Sequence, residues 1–328
     1  MPNPRPMQFP RDIDNLLQVS RAGFQYPENP EWSIQADELE GMVDNLNGIK
    51  RLWPLIAFLQ IVSTDVRDIA YGFFYDEDNQ PVGTIMYNRR SGGQEWYISN
   101  VTVLPPYRRR GIARKLVQAT LDTIRSRQGQ KAILDVIDGN TPAYSLYKEL
   151  GFEDYSGSAQ FFYEQTPPQP IFPEGYTISP LPERDWRTRY AFENRITPDI
   201  VRKYTPVSEA NFQQPFFITA AFNVINQVGG WSHKSFMVRR QDTDVVAIAS
   251  YEARTRPGGV NTLQAKIDPA HPALALPLLS YLLSAIQRTS QGHRIELHFA
   301  SWQPALIDAA RALGASQRYV YHRMGLVF

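Results

Sequence analysis

Three apolar runs rich in β-branched and aromatic residues, 70–75, 82–89 and 95–104, follow one another in the first third of the chain. The polar cluster Asp76-Glu77-Asp78-Asn79-Gln80 between the first two is turn chemistry, so the runs predict strands of an antiparallel meander. From Gly111 the period changes. Ile112, Leu116, Val117, Thr120, Leu121 and Ile124 recur at helical spacing as far as Ser126, and Gly129 closes the segment. Residues 131–137 predict a short buried strand. A second helix begins at Thr141 as cap, with Pro142 in its first turn, Leu146 and Leu150 on its inner face and Gly151 as terminator. An aromatic strand over 160–164 ends this half.

Residues 164–176 carry four prolines and a glycine without apolar periodicity, a linker pattern near the middle of the 328 residues. At ~100 to 200 residues per domain the length suits two domains, 1–166 and 167–328. The second half repeats the order of elements with different letters: strands over 245–253 and 262–267, a helix over 273–286, a strand over 294–300, a helix over 304–313 and a strand over 319–327. Tyr87 and Tyr251, like Pro105 and Pro269, are separated by 164 positions; Gly129 and Gly292, like Gly151 and Gly314, by 163. Landmarks that keep one offset to within a residue indicate an internal duplication.

Composition narrows the chemistry. With 34 Lys plus Arg against 33 Asp plus Glu and a net charge of +1, nothing favours a nucleic-acid partner. No cysteine is present, which excludes disulfides, thiolate metal sites, Fe–S clusters and a cysteine nucleophile. The longest apolar stretches, 53–62 and 274–283, are about half a bilayer span, so the expectation is a soluble, cytoplasmic protein without membrane contact. All five histidines lie beyond residue 230. His293 and His298 are five apart around a predicted strand and face opposite ways, and no pair has zinc-ligand spacing, so no metal is expected. The aromatic-rich insert 212–231 is expected to pack in a domain interface or to line part of an acceptor pocket.

The segment with most chemical content is Val101-Thr-Val-Leu-Pro-Pro-Tyr-Arg-Arg-Arg-Gly-Ile-Ala-Arg-Lys-Leu116. A strand ends in prolines and passes through Arg108-x-x-Gly111-x-Ala113 into an amphipathic helix. Main-chain N–H groups at such a start are unpaired and sit at the positive end of the helix dipole, which suits a pyrophosphate. Arg109, Arg110 and Arg114 add positive charge for further phosphates.

The segment resembles the acetyl-CoA site of the GCN5-related N-acetyltransferases (GNAT), whose signature is Q/R-x-x-G-x-G/A after a V-x-P strand end. A second family motif follows, Asn140-Thr-Pro-Ala143-Tyr-Ser-Leu146-Tyr147-Lys-Glu-Leu150-Gly151-Phe152, similar to N-x-x-A-x-x-L-Y-x-x-x-G-F. The resemblance is close over 82–152, plausible over 1–164, and reaches the second half only as a pattern of elements. It implies an α/β (α+β) fold: two tandem GNAT domains, each a mixed, mostly antiparallel sheet flanked by helices. It also implies acetyl transfer from acetyl-CoA to a primary amine by direct attack in a ternary complex, with a small-molecule or peptide acceptor, in a monomer built as a pseudo-dimer or in a homodimer.

Residue by residue, the resemblance gives the main chain of Val101, Thr102 and Val103 to the pantetheine arm. It gives Arg108, Arg109, Arg110, Gly111, Ile112, Ala113 and Arg114 to the pyrophosphate, and Asn140, Tyr144 and Tyr147 to the rest of the cofactor. Tyr147 would be the general acid for the departing thiolate, and the N–H of Val103 would polarise the thioester carbonyl. Family members that keep a base on the third strand carry Glu or His four or six residues before the position of Val103. Here these positions are Ser99 and Tyr97, and Glu95, acting through water, is one candidate in their place. The base is therefore not identified, and a non-catalytic acyl-CoA-binding or regulatory module is the alternative. Opposite Arg108 to Ala113 the second half reads Pro269-Ala-His-Pro-Ala-Leu-Ala-Leu-Pro277, and opposite Asn140 and Tyr147 it has Gln303 and Ala310. The second copy is expected to bind no cofactor.

Overall fold

The computed structural model describes residues 4–62, 71–90, 94–213, 230–256, 259–290 and 294–328. They form two compact units, Met1–Tyr155 with Arg323–Phe328, and Ser156–His322. Among the described residues no helix is long and apolar enough to cross a membrane.

The first unit begins with a short strand β1 (Arg5–Pro6), helix α1 (Ile13–Gly23) and helix α2 (Ala36–Val62). Strands β2 (Tyr71–Glu77), β3 (Gln80–Arg89) and β4 (Glu95–Val103) then make the expected meander. Its first hairpin closes through Asp78 and Asn79, at φ 50 and 62, between the paired Glu77 and Gln80. Two left-handed central residues match the twist of the flanking strands, and Asp and Asn tolerate that conformation. Helix α3 (Ile112–Ser126) leads to β5 (Lys131–Ile137), parallel to β4, and helix α4 (Thr141–Glu149) follows.

Every apolar position predicted for the inner face of α3 is buried and packs with Ile85, Trp96, Ile98, Leu134 and Phe152. The other face of the sheet is covered by α1, whose Leu16 and Val19 pack on Phe74. The cap of α4 is Asn140 rather than Thr141: its Oδ1 accepts from Ala143 N at 3.3 Å, which only the residue preceding the helix can do.

Strand β6 (Glu153–Tyr163) starts seven residues before the predicted 160–164 and is passed from the first unit to the second at Tyr155. The second unit continues with β7 (Tyr176–Pro180), α5 (Trp186–Ile196), α6 (Asp199–Tyr204), β8 (Trp231–Arg240), β9 (Asp244–Arg254) and β10 (Asn261–Ile267). It is completed by α7 (Ala275–Thr289), β11 (Ile295–Ala300), α8 (Pro304–Ala312) and the first part of β12 (Ser316–Val327). Strands β7 to β10 are antiparallel neighbours, β11 runs parallel to β10, and β6 pairs antiparallel with β11 from Ile295↔Tyr163 to Ala300↔Ser158. Leu278, Leu279, Leu282, Leu283 and Ile286 of α7 fill its core.

The strand beyond each parallel pair therefore comes from the other half of the sequence. Beside β11 it is β6; beside β5 it is the end of β12, where Phe328 N donates to Gln130 O at 2.9 Å and Arg323 clasps Asp135 with Nε at 2.8 Å and Nη2 at 3.1 Å. A division at residue 166 leaves both strands with the wrong neighbours. Of the insert 212–231, residues 214–229 lie outside the described residues, as does His293.

Helix α1 is held at its start by Asp12, which is buried and accepts from Gln8 N at 2.8 Å, Arg5 Nη1 at 2.9 Å and Asn15 Nδ2 at 3.2 Å. Burial pushes this carboxyl up, but Arg5 and the Gln8 N–H outweigh it and hold it below the usual carboxylate range. A depressed pKa in the folded state contributes stability that is present above the unfolded value of about 4 and is lost as pH falls through the folded value. Asp12→Asn should cost about 2 kcal/mol at pH 7, the scale of a lost charged hydrogen bond. Denaturant titrations should show the gap between parent and variant closing as pH is lowered below about 4; a pH-independent gap contradicts this account.

Candidate active site

The parallel ladder between β4 and β5 runs only from Glu95↔Lys131 to Ile98↔Leu134. Beyond it the strands part, for a local reason. Against β3, the step from Ser99 to Thr102 spans three residues of β4 where β3 uses two, from Met86 to Thr84. The extra residue is a bulge at Asn100, left-handed at φ 52. Buried Ser20 of α1 fixes it: Asn100 Nδ2 donates to Ser20 Oγ at 3.0 Å. The helix comes this near because Gly23 has no Cβ; one there would collide with Thr102 Cγ2. Leu104 N donates back to Val82 O at 2.9 Å, so by strand alternation Val101 and Val103 turn their main-chain groups away from β3, into the opening.

The segment from Leu104 to α3 lies at this open end. A 3-10 turn, Pro105–Tyr107, precedes Arg109 at φ 65 and Gly111 at φ 75, and both residues are exposed. Lys115 N is the first to bond back, to Gly111 O at 3.1 Å, so the N–H groups of Gly111 to Arg114 precede the helical ladder, and no side chain caps them. A Cβ on Gly111 would meet nothing within 4 Å, so the space above these donors is open. Four convergent donors at the positive end of a 15-residue helix, under an open surface, make an anion cradle.

The arginines divide. Arg109 is exposed beside the cradle; Arg114 pairs with Glu149, and Arg110 donates to Pro106 O at 3.0 Å near Glu77. Arg108 turns inward: Nε donates to Val103 O at 3.1 Å and Nη2 to Gly23 O at 2.9 Å, with the guanidinium 4.9 Å from the Tyr26 ring centre. Ile112 and Thr102 are buried and can offer only main chain.

The N-cap Asn140 spends its Oδ1 on α4, while Tyr144 donates to Asp154 at 2.9 Å. Tyr147 is 5% exposed, edge-on to Phe152 at 5.9 Å, and near Tyr26. Burial, with Tyr26 adding to it, pushes the phenol far up, so it stays protonated at neutral pH. Residues 24–34 fold back here: Ile34 N donates to Phe24 O, Trp32 stands edge-on to Tyr26, and a Cβ on Gly139 would be 3.2 Å from the Trp32 ring. None of Ser20, Gly23, Tyr26 or Asn100 was a sequence candidate. The one available sign was Asn100, a residue tolerant of left-handed backbone within a β-branched run.

Where a base was sought, Tyr97 donates to Asp135 Oδ2 at 3.0 Å, and Asp135 is also held by Arg323. Glu95 is buried at the opposite end of β4, eight residues from Val103 or about 26 Å at strand rise, too far to act through one water.

The second unit has the same break, filled. The β10–β11 ladder stops at Gln264↔His298 while β10 continues to Ile267, and Asp268 N donates to Val246 O as Leu104 does to Val82. The residue matching Val103 is Ile267, and buried Gln303, which matches Asn140, accepts from Ile267 N and donates to Ile267 O, both at 3.0 Å. The side chain takes both main-chain groups that a ligand would need. The loop before α7 is also self-satisfied, with Ala270 N on Asp268 Oδ1 and His271 N on Asp268 O. Among the described residues no group of three or more His, Asp or Glu is placed to hold a metal.

With this geometry in place, comparison with known proteins is informative. Residues 44–152 match the acetyltransferase (GNAT) family. The GNAT match thus covers about a third of the chain and lies within the first unit. It is 36% identical over 70 residues to N-alpha-acetyltransferase 30 of Schizosaccharomyces pombe, 21% of this chain and 47% of that protein. To an N-alpha-acetyltransferase of Sulfurisphaera tokodaii it is 29% identical over 129 residues, 34% of this chain and 75% of the other. The chain thus spans about half of the first relative. A tandem GNAT protein from the clavulanic acid biosynthesis pathway superposes with TM-score 0.62 over 99% of this chain and 97% of its own, at 14% identity, which bears out the tandem GNAT fold in both halves.

Gly111 offers a direct test of the cradle. A Cβ at 111 has no neighbour within 4 Å, so the main cost of Gly111→Val to the fold is the left-handed backbone, about 1–2 kcal/mol. Its side chain occupies the open space over the donors. Calorimetry should show acetyl-CoA affinity falling at least ten-fold while the protein stays folded; an unchanged affinity rules the cradle out.

Proposed function

We propose that the first unit of this chain transfers the acetyl group of acetyl-CoA to a primary amine, with the α-amine of a peptide as the acceptor class. The observation that carries the reading is the coincidence, at one end of β4, of the cradle before α3 with the main-chain N–H groups of Val101 and Val103 turned away from β3. Diphosphate and pantetheine arm need these two features side by side. The main chain at 101–103 would align the arm, the N–H groups of Gly111 to Arg114 would hold the diphosphate with Arg109 beside them, and the Asn140 amide would steady the arm from α4. The peptide acceptor rests on the two N-alpha-acetyltransferase relatives, with the segment 24–34, whose Tyr26 lies near Tyr147, beside the site.

In the reaction the neutral amine attacks the thioester carbonyl, and negative charge gathers on the carbonyl oxygen, within reach of the Val103 N–H. The C–S bond breaks, the thiolate takes the Tyr147 proton, and the acetylated nitrogen releases a proton to water, which restores the phenol. Bond made and bond broken balance: amine and thioester give amide and thiol.

A non-catalytic acyl-CoA-binding module is the second reading. It is favoured by Ser99 and Tyr97 standing where a base would be, with the Tyr97 hydroxyl already given to Asp135. Tyr147→Phe separates the two. Loss of one hydroxyl should change acetyl-CoA binding by less than ~1.5 kcal/mol. Turnover, followed as free CoA released over a panel of free-amine peptides, polyamines and amino sugars, should fall by ~100-fold or more. Equal turnover in parent and variant removes Tyr147 from the chemistry, and a parent that binds acetyl-CoA but acetylates nothing supports the binding module.

A further inference from the structure

A second opening lies in the second unit, at the β7 edge of its sheet and away from the filled break. Strand β7 pairs with β8 only from Tyr176↔Arg240 to Pro180↔Phe236. Leu181 N still donates to Ser235 O at 2.9 Å, and then the chain reaches Pro182, which has no N–H to continue the ladder. Helix α7 passes over the part of β8 that β7 leaves behind. Its residues Tyr281, Ala285 and Arg288 recur at helical spacing on one face, and with Lys234 and Phe236 of β8 and Tyr251 of β9 they line an open cavity of about 670 Å³.

The floor of this cavity is aromatic. Phe236 is stacked on Tyr251 with ring centres 5.9 Å apart, and Tyr281 stands edge-on to Phe236 at 5.6 Å. Strand register makes the first pair: Tyr251 lies directly across from Lys234 and diagonal to Phe236, so all three share a face of the sheet. Ala285 leaves the hollow, a single methyl between the long side chains of Tyr281 and Arg288, whereas Leu278, Leu282 and Ile286 of the same helix fill the core. Two exposed cations border the floor. Among the described residues neither Lys234 nor Arg288 has an observed carboxylate partner, and the hydroxyls of Tyr251 and Tyr281 have no observed hydrogen bond. The other charged lining groups are engaged: His233 Nε2 is 3.1 Å from Ser235 Oγ, and Glu183 lies near the Arg189 guanidinium, which also donates to Glu183 O at 3.0 Å.

We infer that this cavity binds a small carboxylate with a flat aromatic body, an arenecarboxylate. The ring of such a ligand lies against Phe236, Tyr251 and Tyr281, where flat apolar surface is best buried. Its carboxylate meets the ammonium of Lys234 and the planar fork of Arg288, with the phenolic hydroxyls as further donors. Aromatic rings alone would also suit a cation, but Lys234 and Arg288 repel one. A polyanion is disfavoured by Glu183 on the same rim, whereas a monoanion is matched by the two cations. The site uses side chains where the cradle of the first unit uses main-chain donors, and the inference stands apart from the acetyl-CoA reading.

Naphthoate is a suitable probe, with the full chain titrated by calorimetry and the Ala285 methyl followed by NMR. The probe should bind at one equivalent and move the Ala285 methyl signal, and saturating acetyl-CoA should leave both unchanged. Neutral naphthamide, which keeps the ring, and cyclohexanecarboxylate, which keeps the charge, should each bind at least ten-fold more weakly. Lys234→Gln and Arg288→Gln should each weaken naphthoate by about ten-fold, the scale of one charge-assisted hydrogen bond. Ala285→Leu, which places a side chain in the hollow, should abolish binding in a protein that still unfolds cooperatively; if it does not fold, the two glutamine variants, both on exposed side chains, decide. No binding at millimolar naphthoate overturns the inference, as does equal binding of naphthamide or unchanged affinity in both glutamine variants. Displacement of naphthoate by acetyl-CoA with no loss in Lys234→Gln places the probe on the cradle of the first unit and overturns it too.

Discussion

The site depends on the parting of two parallel strands after Ile98 and Leu134. A continuous ladder would satisfy the main chain of Val101 and Val103 within the sheet and leave nothing for a ligand to pair with. Strands part at a cost in hydrogen bonds, so the protein has to impose the break. It does so with a left-handed Asn100, a buried Ser20 that holds its amide, and a Gly23 that lets α1 press against Thr102. The same helix presents its C-terminal carbonyl to Arg108, so the element that opens the strands also anchors the segment leading to the cradle.

The second unit is an internal control on this logic. Its strands part at the corresponding place, at Gln264 and His298, and the freed groups of Ile267 are satisfied by the amide of Gln303. One methylene separates asparagine from glutamine. In the first unit the shorter amide caps α4 and stops short of the strand; in the second the longer one crosses to Ile267. With proline at 272 and 277 and the loop N–H groups turned onto Asp268, this unit keeps the architecture and lacks the cradle. The duplicated pattern of elements is thus a statement about fold, and the open break with its cradle belongs to one copy.

Much of this was legible in the sequence because it is local. The α3 stripe from Ile112 to Ile124, the turn at Asp78-Asn79, and the proline-to-glycine entry into α3 are set by neighbours a few residues apart. What was illegible is set across the chain. The direction of Arg108 depends on carbonyls 85 and 83 residues away, the bulge at Asn100 on a serine 80 residues away, and the strand beside β5 on the last residues of the chain. Treating the arginines of 108–114 as one phosphate-binding group follows from their spacing. Their partners divide them into an inward tie, a surface pair with Glu149, a side chain donating to Pro106 O and one exposed cation.

The central claim, that one open break and its adjoining cradle bind acyl-CoA while the filled break does not, is tested most directly by amide NMR shifts on adding acetyl-CoA. The account predicts large changes at the N–H groups of Val101, Val103 and Gly111 to Arg114, with saturation at one equivalent and no change at Ile267 or in 270–275. Shifts of similar size at Ile267, or saturation at two equivalents, would contradict it.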